Sequence, residues 1–294
     1  MYPNQRPTEP DSPNREYVNM VMKQSLADLV KTQLRKASRI PSDVNGYVSH
    51  LTDNLLPGVR LDHFESDLKK GGGHELNKKF LALHSSAALA INTFAPFKDI
   101  PSSLSILRKQ GFGPPVFERQ LPTGLRGTPP NIDVYLQSDD DVIAIESKFL
   151  EYCAPKVADY SDSYSKDTLP LAEDCWWQVL EESKAAGLRH LDVAQLVKHY
   201  LGLIRLMNHG DEGWKPKEVT LLYLFWEPEN AQDIGDCLNH RRNIEELASK
   251  VCGSRIKFMS LSYPELWREW ETLPSIAAHV ANLKARYSMA LKLP

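Results

Sequence analysis

The sequence predicts a layered α/β or α+β domain that is built on a mixed β-sheet and flanked by helices. Three segments in the middle of the chain, 116–121, 132–137 and 142–149, are short, β-rich and bounded by turn residues. A fourth segment, 219–226, is a continuous apolar run of strand length, which indicates a buried central strand. Helical patterns surround these strands, and this order of elements is typical of a layered domain with a mixed sheet.

The N-terminal quarter predicts a tail followed by a helical extension. Residues 1–16 hold four prolines and almost no apolar residues, so they predict a disordered tail. Apolar spacing predicts a helix over 17–38 and a second, short helix over 43–56 that ends at Pro57-Gly58. Segment 17–70 is therefore expected to be a helical extension that packs on a main domain, 71–294.

The main domain is expected to begin with a glycine break and a long helix. Gly71-Gly72-Gly73 precedes a strongly helical segment, 75–94. The segment 138–141 between the second and third strands has the composition of a hairpin loop. The remaining predictions are one strand and four helices: 256–261 as the strand, and 172–186, 191–207, 231–251 and 264–287 as the helices.

Composition excludes some classes of protein. The 294 residues carry a formal charge of −3, which excludes a highly basic nucleic-acid coat protein but allows an enzyme with a local basic face. The longest apolar stretch, 221–226, is far shorter than the roughly 20 residues of a membrane helix. The N-terminus has no apolar signal region, and the four cysteines are scattered. A cytoplasmic protein without a membrane partner is the expectation.

The most informative residues lie on the second and third predicted strands. If the hairpin turn is centred between Asp139 and Asp140, Asp133 lies opposite Glu146. The period of two then places Lys148 on the same face as Glu146, while Ile143, Ile145 and Phe149 point to the core. A register shifted by one residue would separate the two acids.

Two carboxylates and an amine on one strand face are suited to phosphodiester hydrolysis. Mg²⁺ commonly binds one or two carboxylates together with phosphate and water, and it can activate water. A nearby ammonium can orient that water or stabilise the developing charge. The alternative is an ordinary solvated hairpin edge, since similar triplets occur at Asp67-Leu68-Lys69 and Glu182-Ser183-Lys184. The first of these lies in a polar, loop-like stretch and the second in a helical pattern.

This constellation resembles the core of the PD-(D/E)XK nuclease superfamily, which has the restriction-endonuclease-like fold. Asp133 is followed after twelve residues by Glu146-Ser147-Lys148, and the element order αβββαβ is similar to that fold. The segment from His84 to Phe94 resembles a helix of a branch of bacterial restriction endonucleases. The segment from Glu146 to Glu151, in which an aromatic residue and an acid follow the lysine, resembles the same branch. The resemblance covers about residues 70–262. The proline expected before the first acid is absent, because Ile132 precedes Asp133.

The resemblance implies roles for five residues. Asp133 and Glu146 would bind Mg²⁺ or Mn²⁺, and Lys148 would position water or stabilise charge. Many members add a glutamate from the first core helix, for which Glu75 is the candidate. Its alternative is an acid favoured by the helix dipole. Some branches add a Gln-x-x-x-Tyr motif, which Gln195 matches only in part because Tyr200 is displaced by one residue. The alternative for Gln195 is an ordinary helix residue.

The resemblance therefore implies a metal-dependent nuclease that acts on DNA as an endonuclease of restriction type. Cleavage of both strands generally needs two active sites in this class, which is compatible with a homodimer. Basic residues near the predicted site that would contact phosphates are Lys78, Lys79, Arg119, Arg126 and Lys156. Two alternatives remain: a nuclease fold that no longer cuts and binds nucleic acid or a protein, and an α/β scaffold without a nucleic-acid role.

Overall fold

The computed structural model describes residues 15–72, 79–209 and 218–292, which form a five-stranded sheet between layers of helices. The strands are β1 (Val116–Gln120), β2 (Asn131–Gln137), β3 (Asp141–Lys148), β4 (Glu218–Phe225) and β5 (Ile256–Ser262). The helices are α1 (Arg15–Ser38), α2 (Glu65–Lys70), α3 (Ser86–Phe94), α4 (Asp174–Ala185), α5 (Val193–His209), α6 (Gly235–Lys250), α7 (Tyr263–Trp270) and α8 (Ala277–Tyr287). The predicted α/β class with a mixed sheet is confirmed.

The sheet follows the chain order, β1-β2-β3-β4-β5. Strands β1, β2 and β3 form an antiparallel meander, whereas β3, β4 and β5 run parallel. The parallel pairs need crossover connections. Helices α4 and α5 lie between β3 and β4 in the chain, and α6 lies between β4 and β5. The predicted hairpin loop between β2 and β3 is confirmed, since Ser138 N donates to Asp141 O over 2.8 Å.

Both faces of the sheet are buried, so the residues of β3 are apolar almost without interruption. Ile143 and Ile145 pack into the core that includes α1, α3, α7 and α8. Val142 and Ala144 pack on the opposite face, in the core that includes α4, α5 and α6. This alternation is the period of two that a strand imposes on its side chains. Glu146 and Lys148 continue the second face at the carboxyl end of β3.

The predicted short helix over 43–56 is wrong. In its place the chain makes a turn, an isolated bridge between Tyr47 and Ala82, and a 3-10 turn over Leu51–Asn54. The carboxylate of Asp43 accepts hydrogen bonds from the backbone of Asn45 and Tyr47, at 2.9 and 2.8 Å. This local bonding offers the backbone an alternative to the helix.

The predicted helix over 75–94 is too long at its N-terminal end. Residues 79–84 form turns and the bridge, and α3 begins only at Ser86. The Ser85 side chain accepts a hydrogen bond from Ala88 N at 3.2 Å and so caps α3. His84 therefore lies just before the helix and not on it. The predicted helix over 264–287 divides into α7 and α8, with Pro274 in the connection, where a missing N–H and a fixed φ interrupt a helix.

The N-terminal segment shares the core of the main domain. Leu26, Val30 and Leu34 of α1 lie in the same apolar cluster as Ile143 of β3. Buried Asn92 on α3 accepts from Leu56 N at 2.9 Å and donates to Asn54 O at 2.9 Å. Its amide also donates to Tyr287 Oη at 2.8 Å. Satisfied polar networks of this kind fix the relative position of the elements that they connect.

Helix α5 approaches the end of β1 at Gly202. A Cβ at this position would lie 2.6 Å from Leu121 Cβ and 2.6 Å from Leu121 O. Gly202 therefore permits a contact between helix and backbone that any side chain would widen. The same helix carries Gln195 and His199, so this contact helps to set their height above β3.

Gly202→Ala is expected to lower the free energy of unfolding by about 1–2 kcal/mol, although alanine favours helices by about 1 kcal/mol over glycine. The reason is overpacking against Leu121, and urea denaturation measures the loss. The matched control is Gly235→Ala in α6, where no atom lies within 4 Å of the added Cβ. The control should be neutral or slightly stabilising. Equal stability of the two variants would contradict the close contact.

Candidate active site

The predicted acids meet at the carboxyl end of β3, at the wall of a cavity of about 570 Å³. The cavity lies between the start of α3, strands β1 to β3 and helix α5. Its lining includes Asp133, Glu146, Lys148 and Gln195, which were all predicted from the sequence. The folding of two neighbouring strands and one helix thus brings together residues that are up to 62 positions apart in the sequence.

The predicted hairpin register is confirmed. Val134 pairs with Ile145 and Tyr135 pairs with Ala144, so the same register places Asp133 level with Glu146. Asp133 is tied to β3 by a hydrogen bond of 2.6 Å from Ser147 N to its Oδ2. This bond fixes the carboxylate of Asp133 at the edge of the strand that carries Glu146.

Glu146 is a fully buried carboxylate between two nitrogen groups. Lys148 Nζ lies 2.5 Å from Glu146 Oε1, and His199 Nε2 lies 2.7 Å from Oε2. Each carboxylate oxygen of Glu146 thus has one nitrogen partner within the described residues. A buried charge needs such partners, because leaving water costs it several kcal/mol.

Gln195 lies beside the lysine. Lys148 Nζ donates to Gln195 Oε1 over 2.7 Å, and Gln195 N donates to Asp192 Oδ1 over 3.1 Å at the start of α5. The amide therefore holds the ammonium of Lys148 between helix and strand. The similar triplets of the sequence lie elsewhere. Asp67-Leu68-Lys69 lies in helix α2 and not in a loop. In the other triplet, Glu182 pairs with Lys250 and Lys184 pairs with Glu181 on the surface of α4.

His199 is a site residue that the sequence did not reveal, although its spacing from Gln195 gave a signal. One turn of helix separates the two residues, so they lie on the same face of α5. Tyr200, which the motif comparison considered, faces away from the site. Its hydroxyl donates to Glu173 Oε2 at 3.1 Å, and its ring stacks on Trp176 at 4.3 Å. The histidine thus occupies the position that the motif gives to tyrosine.

Glu118 is a second residue that the sequence did not reveal. In β1 it lies between Phe117, which pairs with Val134, and Arg119, which pairs with Ile132, so it is level with Asp133. Glu118, Asp133 and Glu146 thus form one acidic row across three strands. The backbone of Glu118 has a φ of 48°, a strained value for a residue with a side chain. A ten-residue connection joins β1 to β2, and it is too long to fix their register from sequence alone.

The buried and charged groups of the site shift one another's pKa values in opposite directions. Burial and the neighbouring carboxylates of Glu146 and Glu118 raise the pKa of Asp133 well above its usual value. Burial also raises the pKa of Glu146, but Lys148 and His199 outweigh it and bring that pKa down to about 2. Burial lowers the pKa of Lys148, and Glu146, Glu151 and Asp133 raise it by more. The result is an ionised Glu146 beside an ammonium, and a crowded Asp133.

The other candidates have different outcomes. Glu75 and Lys78 lie outside the described residues. Lys79 and His84 line the cavity. Arg119 does not line the cavity, and its guanidinium packs 3.9 Å from the centre of the Tyr135 ring.

The donor set is compatible with a hard divalent cation. In the described parts of the chain, no group of three or more His, Cys, Asp or Glu side chains is placed so that it could hold a metal ion. Mg²⁺ does not require three protein ligands, because it keeps several waters and is commonly held by one or two carboxylates and by phosphate oxygens. Asp133 and Glu146 supply that minimum.

Comparison with protein families gives a match over most of the chain. The model of a family described as Restriction Endonuclease associating with ARP matches residues 19–288. Comparison with curated proteins and with solved structures finds no match. Within the described residues, no helix is long and apolar enough to cross a membrane.

Asp133→Asn is expected to stabilise the protein in EDTA at pH 8, because it removes a carboxylate that is crowded by burial and by two other acids. We expect a gain on the order of 1 kcal/mol in the free energy of unfolding, measured with urea. Because the pKa of Asp133 is raised in the folded state, the gain is present at pH values above that pKa, where the folded wild type holds a charged Asp133. The gain is lost as the pH falls toward the usual carboxyl range, where Asp133 is protonated in both the folded and unfolded states.

The control for this measurement is Asp67→Asn. Asp67 is buried, its Oδ2 lies 2.7 Å from Lys98 Nζ and it accepts a hydrogen bond from Phe117 N. Its loss should cost about 1–3 kcal/mol. A loss of similar size in Asp133→Asn would contradict the crowding and identify Asp133 as an ordinary paired acid.

Proposed function

We propose, since the chain belongs to the family of restriction endonucleases associating with ARP, that it is a metal-dependent endonuclease of the PD-(D/E)XK type that hydrolyses phosphodiester bonds in DNA. The observation that carries the proposal is the level placement of Asp133 and Glu146 across β2 and β3, with Lys148 2.5 Å from Glu146. A strand pair with only a structural role has no need of a buried acid and a half-buried acid in one row.

The residues present fit a divalent cation. Asp133 and Glu146, which both line the cavity, would hold Mg²⁺ or Mn²⁺ through their carboxylate oxygens. Such a cation supplies water activation and neutralises charge on the phosphate when it is bound. The crowding of Asp133 by Glu146 and Glu118 also favours a positive ion at this place.

Lys148 would act on the same reaction as a cation. In the hydrolysis, a water oxygen forms a bond to phosphorus and gives up a proton to solvent, while negative charge grows on the phosphoryl oxygens. The bond from phosphorus to the leaving oxygen breaks, and the leaving oxygen takes up a proton from solvent and departs as a hydroxyl. The ammonium of Lys148 would position the water or stabilise this charge. Gln195 holds Lys148 Nζ at 2.7 Å and thereby limits its position.

Two properties of the whole protein complete the proposal. Cleavage of both strands of a duplex would need two such sites, which a homodimer would supply. The family description also names an association with ARP, and we include the same association for this chain. The competing function is a nuclease fold that binds nucleic acid or a protein without cutting it. The paired acids with an adjacent lysine favour cleavage.

The test is cleavage of plasmid DNA with Mg²⁺ or Mn²⁺ by the wild type, Glu146→Gln and Lys148→Met. We expect the wild type to cut, EDTA to stop it, and each substitution to lower the rate at least about 100-fold, as loss of a charge-stabilising group does in other enzymes. Circular dichroism and a urea curve of each variant establish that it is folded.

The chain offers a matched control for these substitutions. Glu182-Ser183-Lys184 repeats the tripeptide of the site on the exposed surface of α4. Glu182→Gln and Lys184→Met should cut like the wild type. A wild type that binds single-stranded, double-stranded or methylated DNA but never cuts would reject the enzyme in favour of the binding module. A wild type that does neither would leave only the likeness of fold.

A further inference from the structure

We propose that a second cavity, beside the first, binds the DNA strand next to the phosphate that is cut, so that α1 forms part of the substrate surface. This inference rests on the proposed function for the identity of the ligand. The second cavity has a volume of about 520 Å³ and is lined by α1, by the turn around Gly46, and by His84. Tyr47 and His84 line both cavities. The two cavities therefore adjoin at this pair of rings.

The charge of the lining changes from one cavity to the next. The first cavity has four acids in its wall, namely Glu118, Asp133, Glu146 and Glu151, and two cations, Lys79 and Lys148. The described lining of the second has two cations, Lys31 and Arg35, and one acid, Asp28. A cation-dependent cutting site next to a basic wall is the pattern that a chain of phosphates fits, because flanking phosphates need positive partners.

Lys31 and Arg35 are one helical turn apart on α1, so they project on the same side. Arg35 Nη1 donates to Val44 O over 2.8 Å, which ties the helix to the turn. Among the described residues, the other N–H groups of the guanidinium have no hydrogen-bond partner and can bind a ligand. Lys31 Nζ lies 3.5 Å from Asp28 Oδ1, and its side chain is 38% exposed. A contact this long between exposed groups contributes little, so the ammonium of Lys31 can exchange it for a phosphate at low cost.

The two shared rings form a platform at the junction of the cavities. Tyr47 is 37% exposed, and its ring meets the His84 ring edge-on, with 6.2 Å between centroids. The backbone of Tyr47 is held by Asp43 Oδ1 at 2.8 Å and by the bridge to Ala82. Burial and the charge of Lys31 lower the pKa of His84, so its ring is neutral at neutral pH. An exposed aromatic ring on a fixed backbone is the kind of surface on which bases stack.

The arrangement favours a nucleic-acid strand over a protein as the occupant. The two rings lie between the acidic site and the basic wall. A nucleic-acid strand offers bases that can stack on the rings and phosphates that can contact the basic wall. An occupant that did not continue into the first cavity would have no use for the shared rings. The turn around Gly46 and helix α1 thus extend the site away from β3.

The experiment measures DNA binding by the fluorescence anisotropy of a fluorescein-labelled 20-nucleotide DNA, single-stranded or duplex, in the presence of Mg²⁺. Every variant also carries Glu146→Gln, so that the DNA is not cut. Lys31→Gln is expected to weaken binding about 5- to 10-fold and to reduce the slope of log K against log salt by about one. Tyr47→Leu should weaken binding about 5- to 10-fold with an unchanged salt slope, since it removes stacking and no charge. The matched control is Lys36→Gln on α1, which does not line the cavity and should change binding less than about 2-fold.

Cleavage kinetics in the wild-type background separate the two proposals. Lys31→Gln should raise KM about 5- to 10-fold and leave kcat within about 2-fold, because the residue touches no reacting atom. If the wild type cuts and Lys31→Gln behaves like Lys36→Gln, the strand site is rejected and the nuclease stands. If DNA binds through Lys31 and Tyr47 but is never cut, the strand site stands and the nuclease is rejected. If the protein binds no DNA, both are rejected.

Discussion

The burial of Glu146 as a charged group is the constraint on which the rest of the site depends. A carboxylate that leaves water at a cost of several kcal/mol must be compensated by nearby positive or polar groups. Here Lys148 supplies one partner from two residues further along β3, and His199 supplies the other from α5. The helix must therefore lie close to the sheet, and Gly202 allows this by removing the side chain that would meet Leu121.

Asp133 is not compensated in the same way. Asp133 receives a hydrogen bond from Ser147 N, but it faces Glu146 on one strand and Glu118 on the other. The imbalance is local: one carboxylate of the row is matched by nitrogen groups, and its neighbour is crowded. A neutral residue at this position would relieve the crowding, since substitutions at such positions often stabilise. The cation that we propose for this site would relieve it as well, because it would place positive charge beside the carboxylate of Asp133.

Features that depend on residues close together in the sequence were predicted more accurately than features that depend on distant contacts. The β2–β3 register depends on a short loop, so the symmetry of the loop predicted that Asp133 and Glu146 are level. Gln195 was a candidate only through its partial match to a Gln-x-x-x-Tyr motif, and the structure places it beside Lys148. The position of Glu118 depends on a ten-residue connection, and the contact of His199 depends on how α5 packs on β3. The segment 43–56 was misassigned because Asp43 competes for the backbone through its side chain.

The placement of α1 affects how the N-terminal segment is understood. A helix joined to a domain by a loose linker would present its cations at a variable distance from the acids. In this fold Leu26, Val30 and Leu34 enter the main core. Arg35 also binds the turn that carries Tyr47. The side of α1 that bears Lys31 is consequently held at a fixed place beside the acidic row. Because ordering two charged side chains costs entropy at the moment of binding, such prior fixing favours a phosphate contact over one made by a mobile tail.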